Sequence, residues 1–160
     1  MRRIVGLLVV LSIAAFSCKK EKPLEKGQIR VTINGVRTLL SFNGKIVITG
    51  DTLAVISANS GPQSKIFKNL SIVINRFGPG ELNNSPDFPI RVIINYQEGL
   101  AQFSSHYQNN LIGEAAAQVD EINTGEKYVK GKFKGFLRPI SNSVETRNLK
   151  DGEFFVTISI

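Results

Sequence analysis

His106 is the single histidine of the 160-residue chain and stands in FSSHYQ beside Ser104 and Ser105. A histidine with a neighbouring hydroxyl is the raw material of acyl transfer, in which the imidazole takes the serine proton and a third, acidic group orients it. Residues one or two apart on an extended strand do not aim at a common point, so no catalytic residue is assigned. Zinc fares no better, since it takes several His or Cys ligands and the chain has one of each. Carboxylates alone suffice for calcium, but neither Asp120-Glu121 nor Asp151-Gly152-Glu153 has the alternating spacing of a calcium loop. Asp151-Gly152 reads instead as a hairpin turn, and nothing singles out a carboxylate pair for glycoside hydrolysis. No metal, no cofactor and no enzymatic activity are expected, and a small hydrolase ranks last among the function classes.

The most suggestive surface feature is KYVKGKFKGFLR, residues 127–138. With a period of two, Tyr128, Lys130, Lys132, Lys134, Phe136 and Arg138 line one face; Val129, Gly131, Phe133, Gly135 and Leu137 line the other. Basic and aromatic residues in one row suit an anionic glycan, a lipid head group or an acidic protein. The competing reading, preferred on the sequence, is a solvent-facing strand whose lysines discourage edge pairing. KGFL is similar to part of an RNA-recognition strand, but Leu137 and Arg138 break that pattern and no nucleic-acid partner is expected. Flat aromatics for stacking on sugars are scarce: there is no tryptophan, and the three tyrosines are Tyr96, Tyr107 and Tyr128.

Strands must position these residues. In QIRVTI, Ile29, Val31 and Ile33 alternate with Gln28, Arg30 and Thr32, and Asn34-Gly35 follows as a two-residue hairpin signal. Asn43-Gly44 repeats the signal nine residues later, which predicts a meander of short antiparallel strands. KIVIT (45–49), TLAVISA (52–58), NLSIVINRF (69–77) and IRVIINYQ (90–97) continue the alternation, AQFSSHYQ offers another strand, and EFFVTISI closes the chain. Residues 78–89, with three prolines and two glycines, read as loop. Residues 113–123, GEAAAQVDEIN, suit a helix by composition but carry no apolar stripe at helical spacing, so strand is preferred over helix. The outcome is one all-β domain, an antiparallel sandwich or barrel of about eight to ten strands.

The first residues point to location. Arg2 and Arg3 precede an uncharged run from Ile4 to Phe16, too short to span a bilayer and ordered like a secretory signal. Ser17 and Cys18, preceded by Ala15 and Phe16, resemble the lipobox of bacterial lipoproteins, and the ending SCKK resembles the looser boxes of Bacteroidetes. The resemblance implies a signal peptide over 1–17, lipidation at Cys18, a flexible tether over 18–27 and the folded domain over 28–160. Without residues 1–17 the chain has 18 basic and 13 acidic residues, and from Gln28 onward 14 against 11, so the net charge of +7 is concentrated near the N-terminus. A lone cysteine forms no intramolecular disulfide.

INGVRTLLSF, FGPGEL (77–82), GEAAAQVDEIN, VKGKFKGF (129–136) and DGEFFVTI (151–158) together resemble a family of small uncharacterised Bacteroidetes lipoproteins. That resemblance implies an all-β fold and a cell-envelope location, lipid-anchored in the outer membrane and facing either the periplasm or the cell surface. It carries no activity. Asp51-Thr52-Leu53 also resembles the short motif at which exported proteins of that group are O-glycosylated, with Thr52 as acceptor. Two roles therefore compete: an anchored protein that binds or scaffolds, and a binding module for an anionic glycan or other acidic ligand.

Overall fold

Asn34 and Gly35 both adopt positive φ, 46° and 85°, and close a two-residue hairpin between β1 (Gln28–Ile33) and β2 (Val36–Leu40). From this hairpin the computed structural model, which describes residues 21–50, 52–84, 91–106, 114–141 and 144–159, continues through β3 (Phe42–Thr49), β4 (Leu53–Asn59), β5 (Lys68–Asn75), β6 (Gly80–Asn83), β7 (Val92–Glu98), β8 (Ala101–Ser104), β9 (Ala115–Asn123), β10 (Tyr128–Pro139) and β11 (Arg147–Ser159). The described residues contain strands and no helix. The all-β fold expected from the alternation is what the chain adopts.

Hydrogen bonding orders the strands β2-β1-β11-β3-β4-β5-β7-β8-β10-β9-β6, and β11 also pairs with β10. Two long strands make this possible. Along one edge β11 is antiparallel to β10; along the other it pairs first with β1 and then, through Thr157 to Ser159, in parallel with β3. β10 pairs with β9 over most of its length and passes to β8 at Arg138 and Pro139. The strands β10, β11, β3, β4, β5, β7 and β8 therefore form a closed ring, with β1-β2 and β9-β6 as flaps on one side. Sandwich and barrel meet in one architecture, because the two long strands belong to both layers.

The inward faces meet as one core, with Ile29, Leu40, Ile46, Ile56, Ile72, Ile94, Phe103 and Phe154 among its fully buried side chains. Burying each such side chain contributes about 1.5–3 kcal/mol. On β10 every second inward position, Gly131 and Gly135, is glycine, and the reason is steric. A Cβ on Gly131 would collide with the Phe154 ring, and one on Gly135 would lie 2.9 Å from Ile94 Cδ1.

Three features differ from the sequence reading. Asn43-Gly44 is no hairpin turn: Asn43 has φ 55° and forms a bulge inside β3, where the pairing with β4 slips between Phe42 and Lys45. Gly44 sits so close to the Gly27 carbonyl that no Cβ fits. Asp151-Gly152 is likewise a bulge within β11, with Asp151 at φ 48°. The extra residue restores phase, so that Leu149 and Phe154, an odd number apart, are both buried. Residues 80–83, expected as loop, form the short edge strand β6 against β9, which lies just beyond Pro79 and contains no proline itself.

Residues 115–123, where helix and strand competed, are the strand β9. A third bulge explains the missing pattern: Asp120 is the unpaired residue between Val119 and Glu121, so Ala115, Ala117 and Val119 are buried and Ile122 packs on the core from the shifted register.

Candidate functional site

β10 lies between β9 and β11 through the stretch that carries its lysines. The preferred sequence reading, lysines that guard an exposed edge, is therefore corrected: the lysines stand in the middle of a sheet face. The predicted alternation itself is as expected, with Val129, Gly131, Phe133, Gly135 and Leu137 buried and Lys132, Lys134 and Arg138 exposed.

The row then divides by its neighbours. At one end Lys130 Nζ lies 3.3 Å from Glu121, 4.7 Å from the Tyr128 ring centroid and 4.6 Å from that of Phe155. Tyr128 donates its hydroxyl proton to Glu121 and meets Phe155 edge-on at 5.1 Å. The Glu121 carboxyl is held below its ordinary range, first by the Tyr128 hydroxyl and then by Lys130. Tyr128 and Lys130 are thus committed to the sheet's own contacts, and Tyr128 is nearly buried under Lys130 and Lys26.

Lys132 and Lys134 are placed differently. They line an open groove of about 500 Å³ that crosses β6, β9, β10 and β11, shared with Glu81, Asn83, Gln118, Asp151 and Glu153. Among the described residues neither lysine makes an ion pair. Glu153 is already neutralised by Arg30, with Nη2 at 2.8 Å, and approached by Arg37 at 3.6 Å. The charges left facing the groove are two ammonium groups beside the carboxylates of Glu81 and Asp151. Arg138 lies outside the groove, where β10 has passed to β8.

One bulge stands in the groove at Asp151 and another next to it at Asp120, and bulges re-aim side chains at such places. Asp120 bulges from β9 beside Gln118 and accepts its amide proton at 2.8 Å. Asp151 bulges from β11, and its carbonyl accepts from Arg37 Nη1 at 2.8 Å. The sequence reading missed Glu81, Asn83, Arg30 and Arg37. The β6–β9 pairing that brings the first two joins segments more than thirty residues apart and has no local signature.

A second hollow of about 340 Å³ continues along the same face, lined by Pro23, Leu24, Arg30, Asp120, Lys130 and Phe155 among others. Its roof is the segment before β1. Glu21 binds Arg37 and lies 3.5 Å from Arg30; the Lys22 carbonyl accepts from Arg30 Nη1 at 2.7 Å; Gly27 N–H donates to the Phe155 carbonyl at 2.7 Å. The expected tether is in contact with the domain from residue 21 on.

The remaining sequence candidates lie apart from this face. Ser104 Oγ donates to Asn95 Oδ1 at 2.7 Å and accepts from His106 N–H at 3.1 Å, and Ser105 Oγ accepts from Ile94 N–H at 2.9 Å. Both serines are buried and engaged in holding β7 to β8. Thr52 is exposed in the turn between β3 and β4. Among the described residues no three His, Cys, Asp or Glu are grouped so as to hold a metal. Cys18, Asp51 and Tyr107 lie outside the described residues. No known protein family, curated protein or solved structure matches the chain.

Proposed function

We propose that this is a lipid-anchored cell-envelope protein, attached through Cys18 to the outer membrane, whose β domain binds an acidic glycan in the groove around Lys132 and Lys134. The observation that carries the binding reading is the pair of exposed lysines without ion-pair partners among the described residues, set in a groove with hydrogen-bond acceptors. Lys132 and Lys134 meet the carboxylate or phosphate of a sugar chain. Glu81, Asp151 and Asn83 accept protons from its hydroxyl groups, which accounts for acidic residues in a site for an anion. The role is binding rather than catalysis. The basic and apolar order of residues 2–16 followed by Ser17-Cys18 supports the anchor, and two or three acyl chains hold a protein to a membrane where one holds it only marginally.

Two measurements test these statements separately. Cells labelled with a palmitate analogue should label the wild type and leave Cys18→Ala unlabelled; equal labelling refutes the anchor. Titration of the purified protein with polygalacturonate and with dextran should give binding to the acidic polymer alone, weakened about tenfold in Lys132→Ala/Lys134→Ala, equivalent to ~1.4 kcal/mol, and weakened by salt. Unchanged binding in the double variant refutes the groove.

A further inference from the structure

Five apolar side chains stand exposed at one end of the domain, each in a connection between strands. They are Ile66 and Phe67 between β4 and β5, Leu100 in the β7–β8 turn, and Ile140 and Val144 between β10 and β11; Leu100 is 100% exposed and Val144 95%. Hydrogen bonds and ion pairs gather these connections. Gly99 N–H donates to the Phe67 carbonyl at 2.8 Å, and Ile140 N–H to the Gln102 carbonyl at 2.9 Å. Behind the tips, Glu98 pairs with Lys68 at 3.2 Å and with Arg147 at 3.3 Å, and Arg147 lies over the Phe103 ring at 4.3 Å. Exposed apolar residues scattered singly need no explanation, but five on the tips of one end form a rim that water solvates poorly.

The chain's N-terminal segment runs toward that rim. The β1–β2 turn borders the same end, because Asn34 N–H donates to the Asn148 carbonyl at 3.0 Å and its side-chain amide to the Thr146 carbonyl at 3.1 Å. Two residues past Gly35, Arg37 holds Glu21. Cys18 is three residues before Glu21, and three residues span at most about 11 Å. A lipid on Cys18 therefore enters its bilayer close to the border of the apolar rim.

We infer that the loop rim of Ile66, Phe67, Leu100, Ile140 and Val144 is seated in the interface of the same bilayer that receives the Cys18 lipid. The domain is thereby held upright against the membrane instead of swinging on a free tether. Apolar loop tips enter the boundary between head groups and acyl chains, and Lys65, beside Ile66, meets lipid phosphates. The inference rests on the reading of Cys18 as a lipid attachment point.

The absence of tryptophan from the chain provides a clean reporter. Full-length acylated protein is reconstituted into phosphatidylethanolamine and phosphatidylglycerol vesicles that contain a brominated phosphatidylcholine, with a single reporter as Leu100→Trp or, by the β3–β4 turn at the far end of the same strands, Ile48→Trp. The Leu100→Trp protein should lose about half its emission to the bromine while Ile48→Trp is unaffected. Palmitate-analogue labelling is read on the same preparations. Unlabelled protein refutes the anchor and this inference with it. Labelled protein whose Leu100→Trp emission is unquenched, or quenched no more than that of Ile48→Trp, overturns the rim alone.

Discussion

Glu21 and Arg37, sixteen residues apart, form a two-pronged ion pair, with Nε 2.9 Å from Oε1 and Nη2 2.8 Å from Oε2. The same guanidinium reaches the Thr32 hydroxyl and the Asp151 carbonyl, so one side chain ties the N-terminal segment to β1, to β2 and to the bulge of β11. Docking of residues 21–27 accordingly depends on the charge of Glu21. Its carboxyl is held below the ordinary value of 4.5, chiefly by the hydrogen bond from Arg37, while Arg37 is raised by the same bond. A depressed carboxylate contributes its stabilisation above its unfolded pKa and loses it as pH falls through the folded one. The amide NMR shifts of Lys22 to Gly27 should therefore move with a midpoint below 4.5, and Glu21→Gln should show the released shifts already at neutral pH. A midpoint at or above that value contradicts the docking.

Glycine at 152 is required by packing. A Cβ there would lie 2.6 Å from the Phe133 carbonyl and 2.7 Å from its ring, all of it buried. Gly152→Ala should destabilise the domain by about 1–3 kcal/mol, read as a lowered midpoint in urea. An unchanged midpoint would mean that the β10–β11 contact can relax without cost.

Deleting Asp151 removes the bulge and turns one half of β11 over. Either Leu149 or the Phe154-Val156 pair must then leave the core. Leu149→Ala should cost about 2–5 kcal/mol, and the deletion more than that, to the point that no cooperative melt is seen. A deletion variant as stable as Leu149→Ala would show that β11 tolerates the shift.

Ser105 supports structure by accepting the Ile94 N–H inside the core. Ser105→Ala leaves that donor unsatisfied and should cost roughly 1–3 kcal/mol in denaturation. A fluorophosphonate probe should label neither Ser104 nor Ser105; labelling abolished by Ser104→Ala would restore the hydrolase reading.

Strand positions and facing were legible where alternation was unbroken. Phe154 and Val156, Leu70, Ile72 and Ile74, and the glycine and aromatic face of β10 all turn inward as their spacing predicts. Two of the errors share one physical source. An Asn-Gly or Asp-Gly pair signals positive φ, and both a hairpin turn and a bulge use it; Asn34-Gly35 is the former, Asn43-Gly44 and Asp151-Gly152 the latter. What separates them is which strands pair, a long-range property. The groove was half legible for the same reason: Lys132 and Lys134 could be read from period two, whereas Glu81 and Asn83 arrive only through β6 pairing with β9.

β11 joins strands from the start, the early middle and the late part of the chain: β1, β3 and β10. Until its residues are available, the ring has a gap and β1-β2 has no sheet to join. Closure of such non-local pairings is the slow step in β proteins. The ring and the β1-β2 flap therefore come together only when β11 pairs with both β1 and β10. A chain whose ring closes only through β11 has, in that strand, a timer for its own folding.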